Sequence, residues 1–595
     1  MRRLLLILSA AFVAWAALVL ATGGIHWRLA GILFRSRGAA RPLTIGVALL
    51  LVHAFLFRES FSRDTDRAAA VLRRLLPSLA LVCVLVLAAL AVRYGTFTAG
   101  GSDSYGYVSQ AYIWASGSGH RPQPLPISVP WPSGEASLVP LGYGPGPQPR
   151  TMVPTYAPGL PMMMAAASVF GARGPFLVVP LCAALVVWLT FLLGRRTGGP
   201  WAGILAVAFD VTSPIVVFQA MWPMTDVPVA ALWTGAALAA LGGSRRSALA
   251  AGLWTAAAFL VRPNLPILPL IFVAQVASSS RGRERWIRIA LFGAASAPAA
   301  LIIAALYTAW HGTPWNSGFG SAEEIFALSN IGPNLARYPV WLSQTQSPLV
   351  LLALVPFLPR FRADVDTRAV RLCAALFLAT LGSYLVYSPF EEWWYLRFLL
   401  PAIPALLVLM STGMVVLGRR LPRPWGHVTV TAVALLLLTF AMRFNQRHGM
   451  FGPLRDGERR YADVGVYIHD ALPPNAIVFS VQQSGSVRYY GGRMTIRWDL
   501  IDRGWTARAA AEVERLGLHP YMVIEDWELP QMRGWFGIAP DAPVPWPLVA
   551  RMREPVGVSV LDLSSEPPAQ TVPAALAPGG APRSSAQQPL TIRPQ

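Results

Sequence analysis

The chain has 595 residues, 54% of them hydrophobic and only 13% charged, with a mean hydropathy of +0.47. A soluble domain carries about 25% charged residues, so the composition excludes a soluble enzyme and predicts many membrane spans with room for one aqueous domain. The net charge of +20 does not signal nucleic acid: all the basic residues are arginines, gathered in short segments between apolar runs, as in basic loops on the inner side of a membrane.

Apolar runs predict spans at 4–22, 43–57, 75–92, 175–193, 201–217, 227–241, 248–261, 265–277, 287–307, 349–358, 370–387, 398–417 and 428–442. Several fall short of the roughly 20 residues a span needs, so the expected count is about 11 to 13. With the N-terminus inside, strict alternation puts the arginine segments 58–74, 195–196, 245–246, 281–288, 360–371 and 419–423 on the inner side. Asp103, Asp226, Arg262, the loop 310–347 and the Glu391–Glu392 pair then lie outside. The outside stretch 23–42, with four arginines, breaks the rule, and the alternation in IHWRLAGILF suggests an interfacial segment. The first run also reads as a signal peptide, with VLA as a cleavage site before Thr22. The stretch 156–170 (YAPGLPMMMAAASVF) is too short for a span and is expected as a helix on the outer surface.

The expected organisation is N-terminal spans over 1–74, a catalytic membrane module over 75–443 with long outer loops at 93–174 and 308–348, a small extracytoplasmic α/β domain over 444–565, and a disordered tail over 566–595 rich in Pro, Ala, Ser and Gln. Within the α/β domain, helical periodicity over 459–472, 484–490 and 507–516 alternates with strand-like runs at 476–480 and 521–525, which suggests a partly parallel sheet.

Asp103, in GGSDSYGYVSQA, heads the longest outer loop. A carboxylate at a membrane surface among small and aromatic residues can activate a hydroxyl against a lipid-borne substrate. Its bland reading is a helix cap, as is that of Asp226 in MTDVP. If the two share a cavity they divide base and positioning roles or hold a cation. Asp210 falls inside a span broken by Ser213–Pro214, which makes it a candidate support residue. Arg262 and Arg397 suit a bidentate grip on phosphate, or snorkel to the interface; Glu391 and Glu392 are candidates to pair with them or join the site. The aromatic and amide residues of 310–347 fit a carbohydrate or lipid headgroup, or an interfacial belt. No Walker A, GxSxG or HExxH motif occurs. Cys83, Cys182 and Cys373 lie in apolar runs, and the eight histidines show no ligand spacing.

SDSYGY after a span, the Pro-rich YAPGLP, MTDVP after the broken span and YLRFLLPAIPALLVL near the last spans, taken in order and on one side, resemble the GT-C superfamily of polyprenyl-phosphate-sugar-dependent glycosyltransferases. The nearest branches are families 39 and 83, which include protein O-mannosyltransferases and the lipid A aminoarabinose transferase. The resemblance covers roughly 75–442. It implies an inverting hexosyl- or pentosyltransferase in the cell (plasma or inner) membrane, with a polyprenyl-phosphate-linked donor, a protein, lipid or glycan acceptor, and no nucleic acid partner. Asp103 would be the base, Asp226 the acid at the next outer turn, and Arg262 and Arg397 donor-phosphate contacts, with Glu391, Tyr105 and Tyr156 as further substrate contacts. The chain departs from the protein mannosyltransferase pattern in having SDSYG for an Asp-Glu pair, an α/β tail domain for a β-trefoil insertion, and two extra spans before the loop. No cofactor is expected; a divalent cation is compatible with the chemistry but not indicated. The rivals are a transporter or flippase, a glycan polymerase or ligase using a diphosphate-linked oligosaccharide, and a non-catalytic assembly protein.

Overall fold

The computed structural model describes residues 2–565 apart from 23–24, 30–31, 37, 39, 321 and 423–424, together with 574–575. The chain forms two compact units, Met1–Pro77 with Met414–Leu435, and Ser78–Gly413 with Leu436–Gln595.

In the first unit, α1 (Arg2–Thr22) packs on α2 (Ala40–Leu56), and Ser9 Oγ donates to the Gly46 carbonyl at 2.7 Å. Between them the alternating stretch read as interfacial forms an antiparallel hairpin of β1 (Ile25–Leu29) and β2 (Ile32–Ser36). Helix α3 (Arg58–Tyr94) runs unbroken for 37 residues and passes into the second unit. The arginine segment 58–74, expected as a loop, is its first half: Ala, Leu and Arg are good helix formers, and Pro77 is the only proline within the helix.

The second unit holds most of the membrane bundle, apart from Met414–Leu435 (the end of one helix and the first half of the next), and the C-terminal domain. From α3 the chain enters α4 (Asp103–Ala115), then a loop with a small antiparallel sheet of β3 (Gln123–Pro124), β4 (Tyr143–Pro145) and β5 (Thr151–Pro154), and the single turn α5 (Gly134–Ser137) between β3 and β4. Helix α6 (Gly159–Ala167) follows, packing on α4, α7 and α11 while Met162 and Met163 face outward. The bundle continues with α7 (Gly174–Gly198), α8 (Pro200–Thr212), α9 (Pro214–Ala220), α10 (Asp226–Ala240), α11 (Arg245–Val261), α12 (Ile267–Ser278) and α13 (Gly282–His311). After α14 (Ala322–Ile325) come α15 (Ile331–Gln346), α16 (Thr367–Leu385), α17 (Ile403–Gly418) and α18 (Trp425–Arg447).

Among the described residues six helical stretches are long and apolar enough to cross a membrane, and two bent pairs qualify together. The pairs are α8 with α9, bent by 59°, and Leu328–Gln346 with the 3-10 run Pro348–Phe357, bent by 98°. Five shorter apolar helices join them, including α10, which is nearly all buried among α7, α11 and the run Trp393–Ala402. The chain is a polytopic helical membrane protein. Helix α15 lies where the sequence suggested only a loop. Its inward face, with Asn334, Tyr338, Trp341 and Thr345, is buried against the bundle, so polar side chains there are sheltered and average hydropathy hides the helix.

The C-terminal domain starts with the amphipathic α19 (Pro453–Ala471) and continues β6 (Ala476–Phe479), α20 (Ser484–Gly491), β7 (Met494–Ile496), α21 (Ala509–Arg515), β8 (His519–Glu525), α22 (Leu529–Phe536), β9 (Leu548–Met552) and β10 (Val558–Asp562). Strands β7, β6 and β8 are parallel, while β8, β10 and β9 pair antiparallel. Most of the tail 566–595 lies outside the described residues; β11 (Ala574–Ala575) pairs parallel with β9. One hydrophobic core joins this domain to the loop after α3: Phe479, Trp498 and Ile524 pack with Tyr105, Trp131 and Tyr143.

Candidate active site

Arginine–carboxylate pairs occur at both ends of the bundle. At one, Arg196 at the end of α7 pairs with Asp366 before α16, and Arg245 at the start of α11 pairs with Glu284 at the start of α13. At the other lie the starts of α4 and α10 and the end of α11, with Asp103, Asp226 and Arg262.

Helix α4 begins by bonding Gly106 N to the Ser102 carbonyl, and neither Ser102 nor Asp103 caps it through a side chain. The Asp103 carboxylate turns away instead. Its Oδ1 accepts from the Tyr156 hydroxyl at 2.6 Å and its Oδ2 from Arg397 Nη1 at 2.9 Å. Since the Tyr156 proton goes to the carboxylate, Ser102 Oγ donates to Tyr156 Oη at 2.8 Å. About 29% of the Asp103 side chain is open to solvent, so an incoming hydroxyl can reach it.

Asp226 is fully buried and likewise caps nothing. Its Oδ1 accepts from Arg262 Nη2 at 2.8 Å, and the same nitrogen donates to Thr225 Oγ1 at 2.7 Å. Thr225 also meets Tyr107 Oη at 3.1 Å, and the Tyr107 ring lies 4.4 Å from that of Tyr156. The two carboxylates are thus joined through Tyr156, Tyr107, Thr225 and Arg262. Arg397 flanks the group, its guanidinium 5.5 Å from the Tyr395 and Phe398 ring centroids and 3.8 Å from Met224 Sδ.

Asp226 Oδ2, Arg262 Nη1 and Arg397 Nε are buried without a hydrogen-bond partner. Each such orphan costs about 1–3 kcal/mol, so two arginines with donors to spare mark a place for an anion. Burial pushes the Asp103 carboxyl up, but the Arg397 charge, the hydrogen bonds from Tyr156 and Arg397 and the Arg262 charge outweigh it, and the group sits below its ordinary 3.8. Burial and the charge of Asp103 push Tyr156 well above its ordinary 10.0, so it remains a donor. Among the described residues no three His, Cys, Asp or Glu side chains converge, and the cleft's two acids each face an arginine.

Of the residues named from sequence, Asp103, Tyr156, Asp226, Arg262 and Arg397 come together here. Tyr105 does not: its ring packs on Tyr143 and within the C-terminal core. Glu391 is largely exposed and stands 3.5 Å from Arg337, not beside Arg262 or Arg397. Asp210 is buried elsewhere, with Oδ2 accepting from Thr190 at 2.9 Å. Sequence reasoning missed Ser102, Tyr107 and Thr225. Tyr107 was detectable, since i and i+4 share a helix face with Asp103.

No protein-family model and no curated protein matches this sequence. Solved structures do match. ArnT from Cupriavidus metallidurans bound to undecaprenyl phosphate aligns over 84% of this chain and 100% of that one, at 15% identity and a TM-score of 0.52. The archaeal oligosaccharyltransferase AglB from Archaeoglobus fulgidus aligns over 77% and 70%, at 10% identity and 0.49. Arabinofuranosyltransferase AftD from mycobacteria aligns over 82% and 40%, at 11% and 0.49. The ArnT alignment, over most of this chain and all of the other, shows that the two share a fold.

Proposed function

We propose that this protein is an inverting membrane glycosyltransferase that moves a sugar from a polyprenyl-phosphate donor to an acceptor hydroxyl on the outer face of the membrane. The observation that carries the reading is the cleft itself: a solvent-reached carboxylate beside two arginines with unused buried donors. The ArnT structure with undecaprenyl phosphate, of the same fold, agrees with a lipid-phosphate donor. Arg262 and Arg397 would bind the donor phosphate, and Asp226 would hold Arg262 in place.

In this reading donor binding draws Arg397 toward phosphate and frees one oxygen of Asp103. The acceptor oxygen attacks the anomeric carbon, its proton passes to Asp103, and the bond from that carbon to the phosphate oxygen breaks. Polyprenyl phosphate leaves with the bonding pair, its charge stabilised by the arginines. In the resting site Arg397 holds Asp103 below its ordinary 3.8; once Arg397 turns to the phosphate the carboxylate is a stronger base, and it takes the proton as the attacking oxygen becomes acidic.

One observation favours transport as a second reading. Asp210 Oδ1 is buried without a partner beside the break between α8 and α9, and broken spans with buried acids occur in transporters. The test is purified protein with a panel of radiolabelled polyprenyl-phosphate sugars and membrane extract. Label moving to an acceptor supports transfer. A well-folded protein that moves no label in detergent but takes up substrate in proteoliposomes supports transport.

A further inference from the structure

In the C-terminal sheet, β7 lies on one side of β6 and β8 on the other, all parallel. The carboxyl end of β6 is therefore a topological switch point, the place where open α/β sheets take their ligands. Here that end meets the chain's own turn before α4. The Ala99 N–H donates to Tyr490 Oη at 2.8 Å. A methyl group added to Gly100 would overlap the Tyr461 ring, and one added to Gly101, at φ +57°, would lie 3.3 Å from Gln482 Nε2. Asp103 follows two residues later.

Behind Tyr461 stands a buried polar network. Tyr461 Oη accepts from Gln482 Nε2 at 2.6 Å and from Arg460 Nη2 at 2.8 Å. Arg460 pairs with Glu525 at 2.9 Å and Glu458 at 3.0 Å, and Glu525 also accepts from Gln483 and Trp527, each at 2.7 Å. Apolar packing would anchor a turn more cheaply than buried charges do. What a satisfied polar network adds is a single geometry.

We propose that Tyr461 and Gln482 are positioning residues that fix the Gly100–Gly101 turn, and through it the direction of the Asp103 carboxylate, so that the C-terminal domain completes the catalytic site. This rests on Asp103 being the base. Neither residue touches Asp103; both act through the turn.

The test compares Tyr461→Ala, Gln482→Ala, Gly100→Ala and the double variant Gly100→Ala/Tyr461→Ala with Asp103→Asn, in full-length protein. A small misplacement of a catalytic group costs up to about 100-fold. Each single variant outside Asp103 should therefore lower kcat by about 10–100-fold with little change in donor KM. The low-pH limb of activity should move upward as Asp103 slips from Arg397, and amide exchange over 99–106 should quicken. The double variant should regain turnover over Gly100→Ala, because the clash is relieved. If Tyr461→Ala melts much lower than wild type, Gln482→Ala and Gly100→Ala carry the test. Wild-type kcat, pH limb and exchange in those variants, with Asp103→Asn inactive, would overturn the positioning role and leave the base intact. Wild-type turnover in Asp103→Asn would overturn both.

Discussion

Arg397 lies 294 residues after Asp103 in the chain, yet its Nη1 stands 2.9 Å from Asp103 Oδ2. The pair joins the head of the long loop to a run that leads into a fully buried helix, and it keeps the carboxylate ionised. In a folded protein a depressed carboxyl contributes stability above its unfolded value that is lost as pH falls through the folded one. Activity that depends on ionised Asp103 follows the same direction.

Arg397→Gln should therefore move the low-pH limb of kcat/KM toward higher pH, because Asp103 loses its largest favourable charge. The same variant should raise donor KM. A pH–rate profile from pH 3 to 8 checks both, and an unmoved limb would detach Asp103 from Arg397.

Asp226→Asn leaves the Arg262 cation buried with only neutral partners. Removing one member of a buried pair typically costs about 3–5 kcal/mol, and the Asp226→Asn/Arg262→Gln double variant should cost less than the sum of the singles. Thermal melting of the four proteins in detergent completes the cycle.

In the C-terminal domain the expected pH trend reverses. Burial pushes Glu458 and Glu528 up to about 7 from an ordinary 4.5, the former against the pull of Arg460 and the latter against backbone N–H groups of Glu525 and Gln482. Their stabilising contribution is full below 4.5 and is lost as pH rises toward about 7. Glu458→Gln should flatten part of that slope in melting curves followed by tryptophan fluorescence.

Asp210→Asn separates the two functional readings. The amide still accepts from Thr190, so sugar transfer should stay near wild type, whereas a proton- or ion-coupled transporter should lose uptake.

Much of the site was legible because an acid or an arginine at the end of an apolar run stands out. Asp103, Asp226, Arg262 and Arg397 were all found that way. Which acid meets which arginine was not legible, since the pairings are long-range and depend on how α4, α10, α11 and the run Trp393–Ala402 pack. Helical geometry puts Tyr105 on the far side of α4 from Asp103 and Tyr107 on the near side, so one of those assignments was open to correction from sequence alone. Glu391 carried charge near a span end but no signal of its exposure. In the fold, the hairpin at 25–36 and helix α15 escaped because their polar residues depress hydropathy, and the join of 58–74 to α3 escaped because charge was taken to end a helix. The clasp of Tyr461 on Gly100 links residues too far apart in sequence for any local pattern to show.

The most direct test of the account is single-turnover sugar transfer by Asp103→Asn beside wild type, with donor binding measured in both. The variant keeps the shape and one of the two acceptor oxygens, so one of the Tyr156 and Arg397 contacts survives, but it cannot take a proton. The account predicts a loss of about 10²–10⁴-fold in the chemical step with donor affinity little changed. Transfer at the wild-type rate would contradict it.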